Sequence, residues 1–445
     1  MDFAKAIISI LGLQDVEIVD LKIFSKQWRI QLVLRQQRSR CFCSSCGSSF
    51  DLVKSWEIKY LKAPPLGIYQ KVDIKLYQMR GYCIDCGKSE VCRLDWIHPN
   101  FTSMTCGFAE VAGRLMEEIT CEAAARILHS KSSTMWNLDQ WRMQHMMQFL
   151  RLPEDVDLSY MSADEVHFRS KPNYERHKAI LGKKQTPEFI TNLVSYNDGK
   201  VITNAAGRDS KALESCLSVL SQGQRMSIER FAVDMHEPYI SVIEKMCPNA
   251  EVTVDRFHIT QSLNKAFDEL RKLEFKKAQQ NCRSFEKGML EPSRRFMLVT
   301  KHPHLLSKVE QKLIERLKRV NENIHTGMLL VDYLHRALDK KTVKGFRQTL
   351  GLWYQVIRES KLSPFLKLAK LIRKYRRKIE VYIKSRLTTA VSEGLNNKIK
   401  VLKRMGYGYR NKTSFMRKIL QRCGYLNHVF INTNIFLLRV PNPAI

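Results

Sequence analysis

Two cysteine pairs constrain this chain more than any other feature. Cys43-Ser-Ser-Cys46-Gly and Cys83-Ile-Asp-Cys86-Gly each put two thiols on one tight turn followed by glycine, and 36 residues separate the pairs. Zinc takes four soft ligands in a tetrahedron, and each Cys-x2-Cys knuckle supplies two of them. The surrounding segments read as extended: residues 16–21 and 28–35 alternate apolar and polar side chains, as the two arms of a hairpin do. These features predict an N-terminal zinc ribbon over residues 1–100, with a structural Zn2+ on Cys43, Cys46, Cys83 and Cys86. Four thiolates leave no open coordination position, so this metal is not a catalytic one. Cys41 and Cys92 are rivals for a ligand position.

The chain has 445 residues, 44% of them apolar, which is enough for a sizeable core and excludes global disorder. Six of its 12 cysteines crowd into residues 41–92, and the start, Met1-Asp-Phe-Ala-Lys, has no basic region ahead of an apolar run. Without an export signal, such a cluster reads as metal ligands rather than disulfides. Residues 3–13 read as an amphipathic first helix, and no apolar stretch approaches the length of a membrane span. The formal net charge of +30 calls for a polyanionic partner. Nucleic acid is the first candidate and an anionic membrane surface the second; together with the motifs that follow, the expected partner is double-stranded DNA, with no membrane.

Residues 101–155 change character and become helical. Glu122-Ala-Ala-Ala-Arg-Ile-Leu-His reads as a first helix, Ser130-Lys-Ser-Ser as a turn with capping residues, and Thr134-Met-Trp-Asn-Leu-Asp-Gln-Trp-Arg-Met as a second helix. This is a helix-turn-helix pattern over residues 122–143. Ser132, Ser133, Thr134 and Asn137 would face DNA from the start of the second helix. Ile127, Leu128 and Leu138 would be core, and Trp136 and Trp141 would pack. Pro153 closes the unit.

Residues 156–260 read as α/β, with strands over 158–164, 189–196, 201–206, 231–235 and 251–257 and helices over 210–221 and 238–246. Asn197-Asp-Gly is a strong hairpin turn between the second and third strands. Asp164 ends the first strand and Asp234 the fourth. In a ribonuclease-H-like sheet those strands are neighbours, so the two carboxylates meet at one edge. Alternation turns Glu165 to the other face. Residues 260–380 are long, basic and helical, and residues 381–404 read as one more helix, carrying Glu393. Clustered carboxylates repel one another, and a pair of divalent cations relieves this. Two such metals can activate a water and stabilise the leaving 3′ oxygen of an in-line phosphoryl displacement. Asn396, Asn397 and Lys400 fall on nearly the same helical face as Glu393, placed for DNA phosphates. Asp255 and His258 read as partners behind the metal ligands or as DNA contacts, with a substitute metal-ligand pair as the alternative.

With these residues in place, the chain resembles the DDE transposases of bacterial insertion sequences, in the zinc-ribbon group named after the "L-three" insertion sequence. The matching stretches are the two cysteine knuckles, Asp164-Glu-Val-His-Phe, Ala206-Gly-Arg-Asp, Val233-Asp-Met-His-Glu-Pro-Tyr, Val254-Asp-Arg-Phe-His, Ser392-Glu-Gly-Leu-Asn-Asn-Lys-Ile-Lys and Tyr407-Gly-Tyr-Arg-Asn. The series spans nearly the whole chain in order, and the Ser392–Lys400 stretch is the most specific.

The resemblance implies a multidomain α/β protein whose ribonuclease-H-like catalytic core is split by an α-helical insertion. The division is zinc ribbon over 1–100, helix-turn-helix over 101–155, first core part over 156–275, insertion over 276–378, and second core part with a C-terminal tail over 379–445. It also implies that Asp164, Asp234 and Glu393 are the catalytic triad, holding two Mg2+ or Mn2+. The ribbon and helix-turn-helix would bind the terminal inverted repeats, and a homodimer or larger assembly would bring element ends and target DNA together. The setting would be the bacterial cytoplasm, at the nucleoid. One departure is the long basic stretch from Arg169 to Pro187, where many relatives connect more directly. A non-catalytic DNA-binding regulator of transposase descent and a structure-specific nuclease of the same fold are the rival readings.

Overall fold

The period-two alternation that follows residue 15 forms sheet. In the computed structural model, which describes residues 3–37, 42–43, 45–50, 52–169, 188–300, 306–406 and 408–427, helix α1 (Phe3–Ile10) precedes β1 (Val16–Phe24) and β2 (Arg29–Gln36). Then come β3 (Leu52–Ala63), β4 (Lys71–Tyr82) and β5 (Ser89–Val91). The sheet order is β1-β2-β4-β3, with β5 on the end of β4. The β2–β4 pair is parallel and the other pairs are antiparallel. Every second residue of β2 and β4 points inward: Ile30, Leu32 and Leu34 meet Val72, Ile74 and Leu76, and Ile7 of α1 caps the cluster.

Three helices follow: α2 (Cys106–Glu118), α3 (Cys121–Ile127) and α4 (Ser132–Gln148). Thr120 caps α3 through its side chain, while Lys131, rather than a serine, holds the N-cap position of α4. Leu128 and Leu138 are core, but Ile127 is 51% exposed, a correction to the sequence reading. The short α3 buries Ala124 and Ala125 instead, and its last residue turns outward. The helix Lys412–Cys423 packs against α2 and α4. Lys418, 5% exposed, reaches both carboxylate oxygens of the 1% exposed Asp139 at 3.0 and 2.9 Å and the Met116 carbonyl at 2.8 Å. These elements form one compact unit, Met1–Pro153 with Leu402–Ile445; the second is Glu154–Val401. Residues from Leu402 onward thus cluster with the first unit, where the sequence division keeps them with 379–445.

The second unit contains β6 (Tyr160–Arg169), β7 (Glu188–Ser195), β8 (Lys200–Ala206), α5 (Ser210–Leu217), α6 (Gln222–Met226), β9 (Arg230–Val233), α7 (Glu237–Met246) and β10 (Glu251–Val254). Its sheet order is β10-β9-β6-β7-β8. The strands β6, β7 and β8 form an antiparallel meander, and β9 and β10 add in parallel. Gly199, at φ +61°, completes the Asn197-Asp-Gly turn between β7 and β8. Helices then run from α8 (Arg256–Gln280) through α9 (Ser284–Leu290), α10 (Lys308–Val320), α11 (Glu322–Asp339), α12 (Val343–Ser360), α13 (Ser363–Ser385) and α14 (Ala390–Met405). Trp353 of α12 is a core residue, fully buried, with Nε1 donating to the Leu330 carbonyl at 2.9 Å.

Several boundaries differ from expectation. The first α/β strand does not end at Asp164; β6 runs on to Arg169. The strand expected over 251–257 stops at Val254, because Asp255 leaves the ladder to cap α8. The helix expected over 381–404 is two helices: Arg386, at φ +58°, ends α13, and α14 starts afresh at Ala390. The stretch 170–187 lies outside the described residues, as do Cys41 and Tyr407.

Candidate active site and metal centre

In the first unit the cysteine knuckles repeat one another. The Cys43 and Cys83 amides donate to Ser48 and Lys88 carbonyls at 2.7 and 2.9 Å, and Gly47 and Gly87 donate back to Cys43 and Cys83 at 2.9 Å. Both glycines sit at positive φ, +78° and +70°, which a side chain would strain. The four sulfurs lie within 4.8 Å of one another, with Cys43–Cys86 at 3.5 Å and Cys46–Cys83 at 3.4 Å. Zinc–sulfur bonds of about 2.3 Å in a tetrahedron place sulfurs about 3.8 Å apart. The donor set therefore fits zinc, and Cys92, which is disulfide-bonded, is not part of it.

The acidic site lies in the second unit. Parallel pairing of β6 with β9 matches Tyr160 to Arg230 and Ser162 to Ala232. Carried two residues on, that register brings Asp164 alongside Asp234, the residue after β9. Asp234 lies past the end of β9, so strand pairing sets its position next to Asp164 and leaves its face to the chain that follows. Burial first, and the Asp234 charge second, push the Asp164 carboxyl up to about 7. Asp234 accepts from His258 Nε2 at 2.8 Å, and that hydrogen bond raises the His258 pKa. The Tyr375 hydroxyl donates to the Met235 carbonyl at 3.3 Å and ties down the chain just past Asp234.

Helix α14 docks along β6 by two polar contacts. Ser392 meets Ser162 hydroxyl to hydroxyl at 2.5 Å, and Asn396 Nδ2 donates to Asp164 at 2.6 Å. Four helical residues span about 6 Å and two strand residues about 6.8 Å, so the spacings match. Asp255, buried, accepts from the Phe257 amide at 2.7 Å and the Thr389 amide at 2.9 Å, joining the start of α8 to the start of α14. Glu393 begins the next step of α14 and is exposed, as are Asn397 and Lys400. Asn396 is not on that exposed face: it is 7% exposed and turned onto Asp164. Among the described residues only the four cysteines bring three or more ligand atoms within 4.8 Å, so Glu393 does not reach both aspartates at that range.

Two features escaped the sequence reading. Asp234, Glu165, Arg208, His236 and His258 line one cleft of about 270 Å3. Alternation does turn Glu165 away from Asp164, yet burial and then the Asp234 charge raise its pKa, so it is not remote from the acids. Asn192, paired to Asp164 across β6 and β7, is 1% exposed, and among the described residues neither amide atom is bonded to a protein group. Hard divalent cations take carboxylate oxygens and keep several waters. Two in-register aspartates beside a buried amide that could bond such a water fit that chemistry. No pattern in the sequence marks Asn192.

Residues 162–419, which enclose all three acids, match the ISL3 profile, described as a transposase. The chain belongs to the ISL3 transposase family. Among curated proteins, this family member is 23% identical to the transposase for insertion sequence element IS1001 of Bordetella parapertussis, over 88% of the chain and 90% of that protein. It is 22% identical to the transposase for insertion sequence element IS1557 of Mycobacterium tuberculosis, over 59% of each. No helix among the described residues of the ISL3 member is long and apolar enough to cross a membrane.

Proposed function

We propose that this transposase binds the terminal inverted repeats of its insertion sequence and catalyses metal-dependent strand cleavage and strand transfer. Asp164, Asp234 and Glu393 would hold two Mg2+ or Mn2+. The observation that carries the reading is the register that sets Asp164 beside Asp234, with α14 pinned to the same strand by Ser392 and Asn396. The meander plus two parallel strands, followed by helices and then the Glu393 helix, supports a ribonuclease-H-like core divided by a helical insertion. The five-part division from ribbon to C-terminal tail belongs to the same proposal.

When bound, the metals would supply an activated water and stabilise the leaving 3′ oxygen. The protein's own residues do the rest. His258 orients Asp234, Asn396 orients Asp164, and Asp255 anchors the start of α14 through Thr389. Asn397 and Lys400, exposed on the Glu393 helix, are placed for the phosphate backbone. In the first unit, α3 and α4 supply the helix-turn-helix. Ser132, Ser133 and Asn137 are exposed at the start of α4 and Thr134 is half-buried, so this end would read base edges. The ribbon's Zn2+ would be structural. Two DNA ends must meet, which calls for a homodimer or larger assembly on DNA, in the cytoplasm at the nucleoid.

Strand transfer with end-bearing DNA and Mg2+ tests the triad. Asp164→Asn, Asp234→Asn and Glu393→Gln should each lower the rate by at least about a thousandfold while leaving end binding intact. Full strand transfer by all three variants would refute the assignment. Loss only in Glu165→Gln would move the metal site to the cleft-facing carboxylate.

A further inference from the structure

The outward face of the N-terminal sheet carries aromatic rings and cations in alternation. On the edge strand β3, Trp56, Ile58 and Tyr60 are 37%, 50% and 68% exposed, since the opposite-parity residues Leu61 and Ala63 fill the core. The register sets Tyr60 opposite Lys75 and Ile58 opposite Tyr77 on β4, and Tyr77 in turn lies beside Arg35 on β2. The Arg35 guanidinium lies 6.0 Å from the Trp56 ring centre and the Lys75 ammonium 5.1 Å from that of Tyr77. Outward positions of β2 and β4 hold Arg29, Arg35, Lys71 and Lys75 against two acids: Asp73, paired to Arg29 at 2.9 Å and Lys71 at 3.8 Å, and Glu17 of β1, exposed and 3.7 Å from Arg35.

We infer that this sheet face binds single-stranded DNA, stacking bases on Trp56, Tyr60 and Tyr77 while Arg35 and Lys75 neutralise the phosphates. The inference goes beyond the strand-transfer reading and takes from it only that DNA is the partner. An exposed ring offers a π-face that any unpaired base can cover, whereas a duplex hides its base faces inside the stack. Charge complementarity selects a polyanion. A second copy of the chain would bring the same excess of cations against this face, a repulsive match. Strands β2 and β4 put the cations between and beside the rings, the arrangement in which one strand's phosphates and bases are met together.

Fluorescence anisotropy of the full-length, zinc-loaded protein on a labelled oligothymidylate, with a mixed-sequence duplex of equal length as comparison, tests the proposal. Trp56→Ala/Tyr60→Ala should weaken single-strand binding by about tenfold or more, leave duplex binding unchanged, and be rescued by Trp56→Phe/Tyr60→Phe. Unchanged single-strand binding overturns the proposal, as does equal loss on both DNAs. Loss of binding to anionic phospholipid vesicles in place of the single strand overturns it in favour of a membrane surface. In the unsubstituted protein, photocrosslinking to a 5-iodouracil oligonucleotide should label β3 or β4; labelling confined elsewhere refutes it without any variant. Strand transfer is scored separately. If that activity is absent while ring-dependent single-strand binding persists, the catalytic reading falls and this surface stands.

Discussion

Asp164 is the residue where fold and chemistry oppose each other. Its carboxyl is half-buried beside Asp234 and holds its proton up to about 7. An unfolded aspartate releases that proton near about 3.9. Between those values the native state binds more protons than the unfolded one, so stability falls as pH rises through the window and levels off above it. Asp164→Asn removes that slope. In chelator, the variant should therefore melt at a higher temperature than the parent at about pH 8 and at a similar temperature at about pH 4. Parallel melting curves across the range would show that the burial of Asp164 carries no cost. Mg2+ should raise the parent's midpoint at the higher pH and leave the variant unmoved, because the cation replaces the proton as the neutralising partner. Asp164 and Asp234 were legible from the sequence as acids at or after apolar strands. Glu165 was set aside because alternation fixes only which face a residue leaves from, not what the loops beyond the strand bring round to that face.

At the scale of elements, the helix that carries Glu393 depends on polar contacts with distant parts of the chain. Asn396 gives its amide to Asp164 and Ser392 meets the Ser162 hydroxyl with its own, partners 232 and 230 residues away in sequence. Removing the amide leaves a half-buried carboxylate short of a donor, which costs about 1 kcal/mol. We expect Asn396→Ala to lower strand transfer strongly while preserving end binding. Amide exchange should speed up in the first turns of α14 and nowhere in the first unit. Loss of DNA binding with unchanged exchange would mean that Asn396 touches DNA after all. The sequence marked this stretch as special through its Glu-Gly-Leu-Asn-Asn-Lys run, but it could not assign faces: residues three and four apart share a side of a helix only until a strand claims one of them. The break between α13 and α14 was missed for a related reason. Residues 386–389 contain no proline or glycine, and the break rests on the left-handed Arg386 and on Thr389 bonding to Asp255.

For the whole molecule, the division into two units, each with its own core, has a thermodynamic consequence. The four-cysteine cluster lies entirely in the first, and a structural zinc on those thiolates would contribute folding energy to the unit that contains it. Calorimetry should resolve two unfolding transitions, and a strong chelator or Cys43→Ser should shift one of them downward and leave the other in place. A single transition that moves as a whole would show that the units unfold as one. The sequence by itself determined the local features: the two knuckles, because ligand spacing on a turn is a property of a few adjacent residues; the hairpin and strand periodicities, because a face repeats every second residue; and the excess of positive charge that favours a polyanion, because charge is additive along a chain. Tertiary structure decided which strands are neighbours, and hence that Asp164 and Asp234 lie close enough to feel each other's charge. It also decided that Asn396 faces the sheet rather than solvent, that Asn192 is buried beside the acids, and that the Lys412–Cys423 helix completes the N-terminal unit. Each of these is a contact between residues far apart in the chain, and which distant surfaces meet is set by the packing of whole elements, not by local propensity.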